Sequence, residues 1–539
     1  MVSEFVLILY FLIIYLLWLL TCVLQVLVWT YWVQVKEYRF DRLWSFFKTS
    51  DGKSKLFFYF FLLKSVSLPL GFLSKFLVPF TVPYLTILLM IIIFKSKAIG
   101  FRKPVLTKRM QIILLFSFLP LLMPLILPLN LGIILGEFLL PIGTVCGVVV
   151  TSYLTRKTKL KEKLEAVEKL RKVNPFVIAI TGSYGKTTTK DFVTHFLSQK
   201  YKTQKTEKSE NTFFGVVRTI NNKLTNDTRY FVCEIGAYKK GEIKELAEVV
   251  KPKMAIITGI EPQHVDLFGS MNNLKDAKFE IVDSLKNEGF AIFNLSDIEV
   301  FAMHEKAKKL YPETKTFGYK VYLKNSKEKI KDENCRIVSI VEKQSLNEVQ
   351  FSVLENGKQV NNKFTVKTTG VHFIENISCA ILISRILGLS WVEIEKAMSS
   401  LITPEGTMSL IKTVTGAIII NDSYNSSQKS FTAALDYLSF FKNKKKVVIS
   451  SGIIELGEFS QKIHEDLGVK MSELIDKVIV TNKDNALYIL NGMADKSKIK
   501  YEANLQILKK MFLKSIDDSD VILLEGRQPS AIMDVVKSL

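Results

Sequence analysis

Two patterns of apolar and polar positions divide the chain. Residues 5–33, FVLILYFLIIYLLWLLTCVLQVLVWTYWV, carry no charge and are long enough to cross a hydrocarbon core of about 30 Å as one helix. Further apolar stretches at 56–74, 76–94, 110–129 and 131–153 predict four more spans. These fold as two hairpins, one turning near Ser74-Lys75 and the other at Pro128-Leu129-Asn130, with a re-entrant 56–94 segment as the alternative because Pro69, Pro79, Pro83 and Lys64 interrupt it. A signal peptide does not fit, because the first run is too long and only Glu4 is charged before it. Residues 155–175 then contain RKTKLKEKLEAVEKLRKVN, a charged linker helix. In it Lys161 and Glu165, and Glu165 and Lys169, can pair at i, i+4.

Beyond Asn174-Pro175 the period changes. Short continuous apolar runs at 176–180, 230–233, 254–258, 417–420, 446–450, 477–480 and 521–524 alternate with helical stretches, as in parallel sheets covered by helices. The segment 315–369 is strand-rich, with a hairpin turn predicted at Asn356-Gly357. The expected architecture is an α-helical membrane domain (1–154, about five transmembrane helices), the linker helix (155–175) and two α/β domains. The first is a central P-loop ATPase-type domain (176–403), the second a Rossmann-like C-terminal domain (404–539).

Composition adds orientation. Lys and Arg number 73 against 52 Asp and Glu, a net charge of +21, and 48% of residues are apolar, with mean hydropathy +0.20. That apolar content excludes a disordered chain. The cysteines (Cys22, Cys146, Cys233, Cys335, Cys379) are scattered without Cys-x-x-Cys spacing, which excludes a disulfide scaffold and a structural zinc site. Within 1–155, six basic residues lie in 34–55 and six in 95–109. The positive-inside bias makes both loops cytoplasmic and puts the N-terminus outside. The expected location is therefore a multi-pass inner (cytoplasmic) membrane protein, with everything after about 154 on the cytoplasmic side and membrane lipids as partners. Nucleic acid is not an expected partner, since topology explains the charge and no stacked-aromatic motif is present. Lys64, near mid-span, is expected to snorkel toward the interface or to mark a span placed a few residues off, the alternative being a position facing the bundle, a lipid phosphate or a cavity.

The run 176–180 leads into Thr181-Gly-Ser-Tyr-Gly-Lys-Thr-Thr-Thr-Lys190. A strand, a glycine turn, Lys-Thr and a helix is the arrangement that wraps backbone N–H groups around phosphate oxygens. Gly182, Ser183, Gly185, Lys186, Thr187 and Thr188 are the candidate nucleotide contacts. Lys186 would reach the β/γ-phosphates and the Thr187 hydroxyl would ligate Mg²⁺. The full phosphate-loop pattern is not met, because Ile180 stands where its first glycine would be. Glu234 closes the next apolar run, where a carboxylate is a natural Mg²⁺ ligand. His264 and Lys278 follow on the same side of the predicted sheet.

These segments carry a family resemblance. TGSYGKTTTK, EIGA, HVDLFGS with DAKFE, NDSYN and IELGEFSQKIHEDLG occur in this order and resemble the Mur ligase family. Within it the likeness is strongest to the branch that adds D-alanyl-D-alanine to UDP-N-acetylmuramoyl-tripeptide. The resemblance runs from about 176 to the C-terminus. It implies an ATP-dependent carboxylate–amine ligase of peptidoglycan-precursor type, working through an acyl phosphate, with ATP and two Mg²⁺ ions. By resemblance, Lys186, His264 and Lys278 are catalytic, and Thr187, Glu234, His264 and Lys278 hold metal. Lys278 matches a lysine that the family carries as a carbamate. Asn376 resembles the asparagine near the adenine, and Asp422, Tyr424 and Asn425 belong to the nucleotide side of the C-terminal domain.

Three departures stand out. Gly406-Thr407 replaces the family's Gly-Arg, for which Arg527 is a candidate substitute, and Glu525 stands where the family typically has lysine. The acceptor-side loop is thinned around Asn211. The soluble domain that holds the UDP end of the substrate is replaced by the predicted spans. This points to a lipid-linked glycopeptide acceptor or a loosely held small-molecule UDP-peptide, with an amino acid or dipeptide as donor; a bundle that only anchors the enzyme is the remaining reading. Alternatives with other substrates are membrane-bound poly-γ-glutamate synthesis or folate polyglutamylation in the same superfamily, and from another class an ATP-driven transport protein.

Overall fold

The computed structural model describes residues 2–56, 61, 64, 80–99, 103–207, 210–324, 334–360, 363–404, 406–424, 426–518 and 520–539. Internal packing divides the chain into two units, 1–158 with 502–510 and 159–501 with 511–539.

In the first unit, three described helices are long and apolar enough to cross a membrane by length and composition: Ile8–Val35, Lys108–Ile126 and Leu129–Val173. The helix over Thr81–Phe94 is shorter. Of the five expected spans, 56–74 is described only at Leu56, Phe61 and Lys64, so it lies outside the described residues; 76–94 is described from Phe80. Ile14, Trp18, Cys22 and Val26 recur every four residues along the first helix and are fully buried against Leu85, Leu121, Ile133 and Leu140. Ile8, Leu12, Leu16 and Leu20, on another stripe of the same helix, are exposed. The helix is thus apolar all round, with one stripe packed and another left exposed. The helix Lys108–Phe118 tightens to 3₁₀ over Leu119–Leu122 at Pro120. Small residues allow the last two helices to approach: a Cβ on Gly143 would stand 2.4 Å from the Phe116 carbonyl oxygen, and one on Gly147 would stand 2.9 Å from the Ile113 Cα.

One expectation is corrected here. Lys64 does not snorkel. Its ammonium is fully buried, 2.9 Å from Glu137 Oε2, and donates to Gln25 Oε1 at 3.2 Å and Cys22 Sγ at 3.3 Å. Trp18 Nε1 donates to the same Glu137 oxygen at 3.1 Å. A carboxylate partner inside the bundle offsets part of the cost of burying this lysine. The charged segment forms the last part of the continuous helix Leu129–Val173. It stops at Asn174, in the left-handed region with φ 47°, before Pro175. Lys161 and Glu165 approach to 4.0 Å, whereas Glu165–Lys169 does not form; Glu168 instead holds Arg171 and Lys172.

The second unit contains two sheets. The larger uses β1 (Phe176–Thr181), β2 (Thr203–Lys205), β3 (Tyr230–Glu234), β4 (Met254–Ile257), β5 (Phe290–Asn294), β6 (Lys315–Leu323), β7 (Cys335–Gln344), β8 (Val349–Glu355), β9 (Lys358–Gln359) and β10 (Phe364–Val366). Their order is β10-β8-β7-β6-β5-β4-β1-β3-β2, with β9 on β8. Strands β1 to β7 pair in parallel, and β8, β9 and β10 add antiparallel pairings. The predicted turn is present: Asn356 and Gly357 have φ 50° and 74° and join β8 to β9. The smaller sheet uses β11 (Ser409–Lys412), β12 (Ile418–Asp422), β13 (Lys446–Ser450), β14 (Lys477–Val480), β15 (Ile499–Tyr501) and β16 (Val521–Glu525). Its order is β11-β12-β16-β13-β14-β15, parallel except for β11. All five cysteines are free thiols.

Candidate active site

Strand β1 stands between β4 and β3, so the strand order reverses beside it, and the C-terminal end of such a strand is where open α/β sheets bind ligands. The turn from β1 into helix Lys186–Leu197 lies at that end. Gly185 caps the helix with φ 74° and supplies no side-chain cap, which leaves first-turn N–H groups for an anion. Gly182 has φ 153°, and a Cβ there would fall 2.2 Å from Thr258 Oγ1; the loop passes where only glycine fits. Ser183 is buried, its N–H donating to the Gly259 carbonyl at 2.7 Å and its hydroxyl to the Glu261 carbonyl at 3.0 Å.

The charged groups follow. Lys186 Nζ folds over its own loop, donating to the carbonyls of Gly182 at 2.8 Å and Ser183 at 3.1 Å. Burial pulls its pKa down, opposed by Glu234. The Thr187 hydroxyl donates to Glu234 Oε2 at 2.8 Å and Asn211 Nδ2 to Oε1 at 2.8 Å; Lys190 Nζ lies 3.5 Å from the same carboxylate. Thr188 is buried. The Thr189 hydroxyl donates to Asn376 Oδ1 at 2.9 Å, and that oxygen lies 2.8 Å from where a Cβ on Gly185 would be, so Asn376 stands against the loop.

His264, with φ 67°, begins the short helix Val265–Phe268. Its Nδ1 is hydrogen-bonded to Glu455, and Tyr238 meets the ring edge-on. Burial lowers its pKa, countered by Glu455, with Lys186 and Lys278 adding to the fall. Lys278, on helix Met271–Asp283, is buried, and among the described residues no carboxylate pairs with its ammonium within 4 Å. Burial, and then the charge of Lys186, pull it down to about 7 against Glu242, Glu234 and Glu280. Lys186 and Lys278 are thus each within electrostatic reach of Glu234 and of His264. Among the described residues no group of three or more His, Cys, Asp and Glu side chains is placed to hold a metal.

The C-terminal candidates sit differently from one another. Asp422 is buried at the end of β12, its Oδ1 accepting from the Met408 N–H at 3.2 Å, and it lies in register beside Glu525 of β16. Tyr424 is 38% exposed, and Asn425 lies outside the described residues. Thr407 turns its hydroxyl onto the Pro404 carbonyl, and Arg527 is exposed.

Residues 180–384 match the model of the Mur ligase middle domain, and residues 408–528 match that of the Mur ligase glutamate ligase domain. The chain belongs to the Mur ligase family. The UDP-N-acetylmuramoyl-tripeptide–D-alanyl-D-alanine ligase of Bacillus subtilis (strain 168) is 28% identical over 375 residues, covering 69% of this chain and 77% of that one. The enzyme of the same name from Escherichia coli (strain K12) is 26% identical over 369 residues, covering 67% and 76%. Among solved structures, MurF from Acinetobacter baumannii superposes with a TM-score of 0.61 at 25% identity, covering 71% of this chain and 80% of that one. This Mur ligase is accordingly an ATP-dependent acid–amino-acid ligase of the peptidoglycan-precursor type, and the poly-γ-glutamate and transport readings are not favoured.

Several residues around the site escaped the sequence reading. Lys190 falls one turn after Lys186 on the same helix, a spacing that could have flagged it. Glu455 lies inside a quoted motif but had no role. Lys429, Glu375 and Asp297, which meet at Tyr184 of the glycine turn, gave no signal.

Proposed function

We propose that this Mur ligase joins D-alanyl-D-alanine to the peptide carboxylate of a UDP-N-acetylmuramoyl-tripeptide, anchored at the inner membrane with its α/β domains on the cytoplasmic side. The observation that carries the reading is the Thr187 hydroxyl 2.8 Å from Glu234 beside Lys186 and a glycine turn that a Cβ would fill. Such a turn fits a triphosphate, and a hydroxyl with a carboxylate is the hard-oxygen pair that Mg²⁺ takes. Thr187 and Glu234 would hold one ion. His264, whose Nδ1 is fixed by Glu455 so that Nε2 remains as the ligand atom, would serve a second with Lys278. Magnesium would supply charge neutralisation where carboxylate and triphosphate meet.

The residues divide the work. Lys186 withdraws from the Gly182 and Ser183 carbonyls to the γ-phosphate, offsetting charge as the carboxylate attacks and an acyl phosphate forms. The amine then displaces phosphate through a tetrahedral intermediate. Lys278 is held as a carbamate: a buried amine near 7 carries a large neutral fraction, which is the form that takes up CO₂, and the product is an oxygen ligand in place of a cation. Asn376, fixed by Thr189, orients the adenine, with Asp422, Tyr424 and Asn425 on the C-terminal side. Three long apolar helices and the basic loops support membrane attachment.

The test supplies purified full-length protein in detergent with Mg-ATP, D-alanyl-D-alanine and either UDP-N-acetylmuramoyl-tripeptide or detergent-extracted lipid-linked glycopeptide. ADP release that needs both peptide substrates, with an amide product by mass spectrometry from the UDP-linked acceptor, is expected. Product only from the lipid-linked acceptor would move the reading to a membrane-borne substrate. ATP turnover without an amide from either would refute it.

A further inference from the structure

The geometry points to Lys429 as a positioning residue that makes nucleotide binding depend on the docked C-terminal domain, by neutralising carboxylates gathered around Tyr184 of the phosphate loop. This rests on the reading of that loop as an ATP site.

Tyr184 is held on all sides. Its ring lies on Gly259, where a Cβ would come within 2.1 Å of Cζ. Its hydroxyl donates to Asp297 Oδ2 at 2.9 Å, and its carbonyl accepts from Thr258 Oγ1 at 2.5 Å. Asp297 is itself fixed, accepting from the Ile260 N–H at 2.9 Å and capping helix Ile298–Leu310. Glu375 stands next, accepting from Asn294 Nδ2 at 2.8 Å, and it precedes Asn376 on the helix that meets the glycine turn. Three carboxylates, Glu261, Asp297 and Glu375, therefore surround a tyrosine two residues from Lys186. Left uncompensated, that charge would oppose a triphosphate.

The compensation comes from the other domain. Lys429, on the first turn of helix Gln428–Leu438, places its ammonium 2.6 and 2.8 Å from the two Glu375 oxygens and 3.3 Å from the Tyr184 hydroxyl. Among the described residues it is the only cation that pairs with Glu375 within 4 Å. The same residue's backbone N–H donates to Glu261 Oε1 at 3.0 Å, which sets a carboxylate at the helix N-terminus. Gln263 Nε2 donates to the Ser426 carbonyl at 3.0 Å. The cation is thus present at the phosphate loop only when the two α/β domains are docked. That couples the loop's charge to domain position.

The test is isothermal titration of the full-length protein in detergent with the non-hydrolysable analogue AMP-PNP and Mg²⁺. Lys429→Met should weaken binding fivefold or more, because Glu375 is left as an unpaired charge. Adding Glu375→Gln in that background should restore binding to within threefold of wild type, and Lys429→Arg alone should keep it there. A merely structural lysine would not be rescued by removing its partner. Lys429→Gln serves if Lys429→Met does not fold, with the same expectation. A loss of less than fivefold, or no rescue by Glu375→Gln, overturns the proposal. If the wild-type protein binds no nucleotide, the ligase reading fails instead.

Discussion

Glu525→Gln is expected to flatten the alkaline side of the stability profile. Asp422 and Glu525 end neighbouring parallel strands in register and are 4% and 0% exposed. Burial pushes Asp422 up from 3.8 to about 7; burial and then the charge of Asp422 raise Glu525 well above the usual carboxylate range. Both folded values are raised, so the native protein holds protons that the unfolded chain has released. The contribution is whole below about pH 4 and is lost as pH rises through about 7. Moving Asp422 alone from 3.8 to about 7 withholds at most about 4 kcal/mol above that pH. Gln keeps the shape and donor of a neutral Glu525 while removing the second charge. Recovery of about 1–2 kcal/mol is expected at pH 8, or roughly 3–8 °C in Tm for a domain of this size. Scanning fluorimetry of wild type and variant in detergent from pH 5 to 9 measures this. The difference should be small at pH 5 and widen to pH 8 and beyond. Parallel curves across the range would refute the argument, because the gain must track the ionisation of the pair.

Lys64→Met should lower the stability of the helical unit by about 3–5 kcal/mol through the buried charge it strands on Glu137, read as loss of Tm in detergent. Lys64→Met with Glu137→Leu should recover most of that loss. Lys278→Ala should abolish turnover, with partial recovery on adding bicarbonate and a short carboxylate; full activity without either would remove the carbamate from the mechanism.

The runs that became strands were legible because a strand buried on both faces needs apolar residues at every position, and that requirement is local. The phosphate loop was legible for the same reason, since a glycine turn and Lys-Thr act within one stretch of chain. The groups that complete the site were not. His264 and Glu455 lie 191 positions apart, and Lys429 and Glu375 lie 54 apart; each is an ordinary surface-type residue until the fold brings its partner. Glu137 was hidden for a different reason. One carboxylate in a long apolar run reads as an interruption, and only Lys64 on another segment makes it part of the interior.

The departures from the family pattern converge on one question: which cations the C-terminal domain gives to a triphosphate. Threonine at 407 spends its hydroxyl on Pro404, Glu525 adds a buried acid beside Asp422, and Arg527 remains at the surface. By the family resemblance, positions 407 and 525 are where positive charge is expected, and this chain carries none at either. Lys429 is where positive charge from that domain reaches the phosphate loop, through Glu375 and Tyr184. If the nucleotide responds to summed charge rather than to one side chain, Thr407→Arg should leave wild-type activity unchanged or raised, and should recover about half of the binding lost in Lys429→Met. A site already neutralised by Lys429 gains less from a further cation than one that has lost it, and this makes the two changes non-additive. The double-mutant cycle on AMP-PNP affinity measures the coupling directly. Strict additivity would show that the two positions serve different steps, and a large loss from Thr407→Arg alone would show that the pocket has been rebuilt around threonine.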